Sequence, residues 1–68
     1  MVEVKIHTEY ITLGQFLKYV GIITDGYMAK IFLSENKIEV NGENENRRGK
    51  KLFPGSVIKV QDKTYLIK

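Results

Sequence analysis

"ITLGQFLKYVGIITDGYMAKIFLSENKIEVNG", residues 11–42, packs two helical patterns and a strand into one short stretch. Thr12 followed three residues later by Gln15 spells a capping box, in which each side chain satisfies the other's free backbone N–H. Ile11 before the cap and Phe16 four after it form the accompanying hydrophobic staple. Leu13, Phe16, Leu17 and Val20 recur at helical spacing and mark the inward face. Gly21 suits a left-handed helix end, while Gly14 weakens the helix by about 1 kcal/mol relative to Ala.

A second helix is predicted almost at once. Thr24 is a good cap, and Asp25 favours the positive end of the helix dipole. Ala29, Phe32 and Leu33 form its inward stripe, with Met28 beside them, and Asn36 is a candidate left-handed stop. A link of only a few residues makes the two helices a tight pair. Ile38 and Val40 then alternate around Glu39, and Asn41-Gly42 is a strong two-residue hairpin turn.

On the N-terminal side, Val2, Val4 and Ile6 alternate with Glu3, Lys5 and His7, which predicts a strand with one buried face. On the C-terminal side, "FPGSVIKV" (53–60) gives a Pro-Gly turn and a strand. "TYLIK" (64–68) gives a last strand after a turn at Gln61-Asp62-Lys63. This order predicts an α+β fold, two packed helices against a small, mostly antiparallel sheet, in a single domain over residues 1–68. So short a chain buries only about 60% of its unfolded surface. There is no cysteine, which excludes disulfides, a thiolate metal site and a thiol nucleophile. The first residues lack the apolar run of a signal peptide, and nothing approaches the roughly 20 apolar residues that span a bilayer. A cytoplasmic protein with no membrane partner is the default expectation.

Charge singles out "ENRRGKKLFPG", residues 45–55. The chain holds 11 Lys and Arg against 8 Asp and Glu, net +3. Without Arg47, Arg48, Lys50 and Lys51 the balance would be slightly negative. A basic excess concentrated in five positions points to an anion-binding face, where a dispersed one would mean only solubility. Arg47 and Arg48 suit bidentate phosphate contacts, Lys50 and Lys51 act as mobile point charges, and Gly49 lets a ligand approach the backbone. The plain alternative is a solvated loop. Lys30 reads equally as an ordinary exposed helix residue. Tyr27 suits stacking on an unpaired base or half-burial at a boundary, and Tyr10, Tyr19 and Tyr65 read as boundary residues. His7 has no second His or Cys near it in the pattern. No phosphate-binding glycine loop, nucleophile elbow or carboxylate pair is present, so neither enzyme chemistry, a metal, a cofactor nor a small-molecule substrate is expected.

Leu13-Phe16-Leu17, Ala29-Lys30, Leu33, Ile38, Val40-Asn41-Gly42 and Pro54-Gly55-Ser56-Val57-Ile58, in this order and spacing, resemble the RNA-binding domain named after small-subunit ribosomal protein four, the S-four domain. The resemblance covers about residues 11–60. "ITLGQFLK", "AKIFLSENKIEVNGE" and "RRGKKLFPG" are most similar to the short bacterial stand-alone members of YaaA type. The resemblance implies non-catalytic binding of structured RNA, ribosomal or transfer RNA, with a ribosomal subunit as a candidate partner. It implies RNA contacts at Lys30 and in the helices. Thr12 stands where the family often has Arg, Asp25-Gly26-Tyr27 where it often has Ser and Arg, and Ser56 where it commonly has Asp. These departures shift the expected contact toward Arg47, Arg48, Lys50 and Lys51, with Tyr27 beside Lys30. From another class, a protein-interaction module whose basic loop meets an acidic partner remains an alternative.

Overall fold

The computed structural model describes all 68 residues. Helix α1 spans Leu13–Tyr19 and starts at the capping box: Gln15 N–H donates to Thr12 Oγ1 at 3.2 Å, and Thr12 N–H donates to Gln15 Oε1 at 2.9 Å. It ends where Gly21 turns left-handed, at φ 82°. Gly21 N–H donates to the Lys18 carbonyl and Ile22 N–H to that of Leu17, the paired bonds of a Schellman end. Leu13, Phe16 and Leu17 are buried.

Helix α2, Met28–Glu35, begins later than the sequence predicts, and Thr24 is not its cap. The Thr24 hydroxyl contacts Met28 Sδ at 3.2 Å. Asp25 Oδ1 instead accepts the Tyr27 N–H at 3.0 Å, a local turn that competes with helix initiation. Met28 and Ala29 N–H then donate three residues back, to Asp25 and Gly26, so the chain winds tightly before the regular helix starts. The link therefore runs over residues 20–27, longer than the few residues expected. Ala29 and Leu33 face inward as predicted; Phe32 is half-buried and Met28 exposed. Asn36 is extended (φ −132°) and not left-handed. Its Nδ2 and its N–H both donate to the Phe32 carbonyl, so the side chain closes the helix without a left-handed residue.

The strands are β1 Val2–Val4, β2 Ile11–Thr12, β3 Ile38–Val40, β4 Glu43–Asn44, β5 Lys51–Leu52, β6 Val57–Val60 and β7 Lys63–Ile67. Five of them form one sheet in the order β1-β7-β6-β3-β4, parallel only between β1 and β7; β2 and β5 form a separate antiparallel ribbon. The two helices pack against this mostly antiparallel sheet, an α+β fold. The first strand is shorter than its sequence pattern. Val4 is buried, but Val2 lies on an edge strand and stays exposed, and Ile6 follows the strand half-buried. Asn41 and Gly42 take φ 53° and 86°, the positive values that a two-residue β3–β4 turn requires. Asn41 also ties β3 to β6: its N–H donates to the Val57 carbonyl at 2.8 Å, and its Oδ1 accepts the Val57 N–H at 2.9 Å. One core joins Phe16 and Leu17 of α1, Leu33 of α2, Leu52 of the ribbon, and Ile58 and Ile67 of the sheet.

Candidate nucleic-acid interface

The first turn of a helix carries N–H groups with no partner inside the helix. In α1 the basic loop supplies them. Leu13 N–H donates to the Lys50 carbonyl at 2.8 Å and Gly14 N–H to the Arg48 carbonyl at 2.9 Å. The loop's backbone thus turns its carbonyls onto the helix, while Arg47, Arg48 and Lys51 stay exposed and Lys50 half-buried. The positive end of α1 is consequently occupied by loop carbonyls.

Gly14 lies at a close approach that has room for a methyl group and little more. A Cβ there would lie 3.4 Å from both the Cβ and the carbonyl oxygen of Arg48, and 3.6 Å from the Cβ of Ala29. Three pieces of chain therefore meet at Gly14: the start of α1, the basic loop and the start of α2. Lys30 follows Ala29 directly and is exposed; Tyr27, just before α2, is 82% exposed. The fold thereby gathers Arg48 and the segment bearing Tyr27 and Lys30, which lie well apart in sequence.

Arg47 differs from its neighbours. Its Nε donates to Glu45 Oε2 at 2.9 Å, its Nη2 to Oε1 at 3.1 Å and its backbone N–H to Oε2 at 3.1 Å. The Glu45 side chain is only 10% exposed, that of Arg47 72%. Hydrogen bonding from the guanidinium, set against partial desolvation, lowers the Glu45 pKa from 4.5 to about 2, and the same contact raises that of Arg47. The other ion pair, Lys68 with Glu3 at 3.4 Å, lies elsewhere. Arg48, Lys50, Lys51 and Lys30 thus make no salt bridge.

The ribbon adds groups to which the sequence reading gave no functional role. Ile11 pairs with Leu52 and Thr12 with Lys51, which sets Tyr10 beside Phe53. Their ring centroids are 5.7 Å apart at an interplanar angle of 50°, and Lys51 Nζ sits 4.8 Å from the Tyr10 centroid. The available signal was alternation: with Leu52 buried, Lys51 and Phe53 fall on the outer face. His7 is exposed, and no three His, Cys, Asp or Glu side chains gather to hold a metal ion. No helix is long and apolar enough to cross a membrane.

A family model described as "S4 domain" matches residues 4–68. The chain belongs to the S4 domain family. The match takes in β7 and the last residue of β1, Val4, as well as the stretch in which the motifs are visible. A Bacillus subtilis (strain 168) protein described as "Probable ribosome maturation protein RlbA" is 53% identical over 58 residues, 85% of this chain and 82% of that one. The S4 motif pieces Val40-Asn41-Gly42 and Pro54-Gly55-Ser56-Val57-Ile58 meet in space through the paired Asn41–Val57 hydrogen bonds. The Ser56 hydroxyl in that second piece accepts the Phe53 N–H at 3.0 Å.

Proposed function

We propose that this S4-domain chain is a non-catalytic RNA-binding protein that docks structured RNA, ribosomal or transfer RNA, in the maturation or work of a ribosomal subunit. The family, and the likeness to a Bacillus subtilis protein described as a probable ribosome maturation protein, support the class of function. The observation that carries the site is the inward turn of the loop backbone onto α1. It leaves Arg48, Lys50 and Lys51 without a salt bridge, with Arg48 beside the segment bearing Lys30 and Tyr27. Arg47 joins this face as a reserve, its fork shared with Glu45.

Recognition works by charge and shape. An A-form helix has a major groove too narrow for side chains to read, so phosphate and 2′-hydroxyl placement decides the fit. A cytoplasmic location accords with this role. For about four neutralised phosphates, the log–log salt slope of binding is near −3, on the single-strand coefficient. Changing Arg48 and Lys50 together to Ala flattens it by about one to two units while the protein stays folded. A folded double variant with unchanged affinity and slope overturns the assignment. Loss of a protein partner in that variant, with RNA binding intact, identifies the loop as a dock for an acidic protein.

A further inference from the structure

We propose that Phe53, backed by Tyr10 and flanked by Lys51, is a nucleotide site: an unpaired RNA base stacks on the Phe53 ring while the Lys51 ammonium takes an adjacent phosphate. This rests on the RNA reading above and names the part of the RNA that the ribbon recognises. Phe53 is 44% exposed although an aromatic ring gains by burial. Its backbone is held on both sides. Phe53 N–H donates to the Oγ of the buried Ser56 at 3.0 Å, and Ser56 N–H donates back to the Phe53 carbonyl at 2.8 Å. Gly55 N–H then fastens the turn to the Ile67 carbonyl at 2.7 Å. A ring on so fixed a turn loses little freedom when a ligand stacks on it.

The neighbours supply the rest of a nucleotide's chemistry. Tyr10, just before β2, supports Phe53, just after β5, and the Tyr10 carbonyl in turn accepts the Thr8 hydroxyl at 2.8 Å. Lys51 lies over the Tyr10 ring, held there by cation–π attraction, and remains exposed to an anion. An aromatic face beside an ammonium matches a base beside its phosphate. Inside a duplex the base faces are stacked on one another, so this site selects a bulge, loop or end. Tyr27, by contrast, has no aromatic or cationic partner at its ring.

The test compares a blunt RNA duplex with the same duplex carrying a bulge of a few nucleotides, one of them 2-aminopurine. Wild-type protein binds the bulged RNA more tightly and changes the 2-aminopurine fluorescence. Phe53→Leu, at an exposed position that keeps apolar bulk, loses about tenfold or more on the bulged RNA. It leaves duplex affinity and salt slope unchanged, because no phosphate contact is removed. Phe53→Tyr restores the preference. Lys51→Gln flattens the slope on the bulged RNA by about one unit. A Phe53→Leu protein that binds bulged RNA like wild type overturns the site, as does an equal loss on both RNAs or a wild type without preference for the bulge. A wild type that binds neither RNA overturns the RNA reading itself.

Discussion

The rings of Phe16 in α1 and Tyr65 in β7 meet edge to face, centroids 5.1 Å apart and planes at 84°. Phe16 is fully buried and Tyr65 nearly so, which makes this contact a joint between the helices and the sheet. Phe16→Ala removes the ring and leaves a cavity, at a cost of about 3–5 kcal/mol. Total stability in so small a domain is of similar size, so thermal unfolding of Phe16→Ala occurs far below wild type. An unchanged melting temperature contradicts the packing.

Glu45 gives the protein an acid-sensitive contact. Its folded pKa, about 2, lies below the ordinary value of 4.5. Stabilisation from the Arg47 pair is therefore fully present above about pH 4.5 and is lost as pH falls toward 2. The expected result is a Glu45 titration near 2 when carboxyl chemical shifts are followed against pH, moved back toward 4.5 in Arg47→Ala. A Glu45 midpoint at the ordinary value in the wild type removes the pair.

Glu45 also governs how much charge the loop presents. Glu45→Gln keeps the size of the side chain and releases the Arg47 guanidinium. RNA affinity at low salt rises, and the salt slope steepens by up to about one unit. Filter binding across a salt series reads both. A slope that stays the same shows that Arg47 reaches no phosphate even when free.

At Gly14 two effects oppose each other. Ala favours a helix by up to about 1 kcal/mol over Gly. The added methyl meets Arg48 at 3.4 Å and Ala29 at 3.6 Å, contacts that it fills without collision. Gly14→Ala therefore melts at or above the wild-type temperature. Gly14→Leu has no room for its branches, separates the loop from α1 and melts lower, with a weaker RNA complex. Calorimetry on both variants, beside binding, decides it; a Leu variant as stable as the Ala one removes the close approach.

Much of this was legible because local chemistry agreed with the fold. Thr12 and Gln15 found each other three residues apart, and Asn41-Gly42 could turn in only a few ways. The start of α2 was not legible, because Asp25 served an alternative local turn as well as it would have served a helix end. Asn36 closed its helix with a side chain, which no left-handed signature records. In the site, charge pointed to Arg47, Arg48, Lys50 and Lys51, but it could not separate the Arg that Glu45 occupies from the one that stays free. The Tyr10–Phe53 contact was not legible, because the two rings lie some forty residues apart in sequence and are adjacent only once the ribbon forms.

The parallel pairing of β1 with β7 bears on the route of folding. Val2 stands beside Tyr65 and Val4 beside Ile67, and Lys68 N–H donates to the Val4 carbonyl. The β6–β7 hairpin closes over two residues and forms on a local timescale. β1 must instead search for a partner at the far end of the chain, a closure whose entropy is lost before any contact repays it. The expected order is therefore that β1 docks after the rate-limiting step, onto a hairpin already in place. Trimming Val4 to Ala accelerates unfolding and leaves the folding rate nearly untouched, the signature of a late contact in stopped-flow kinetics.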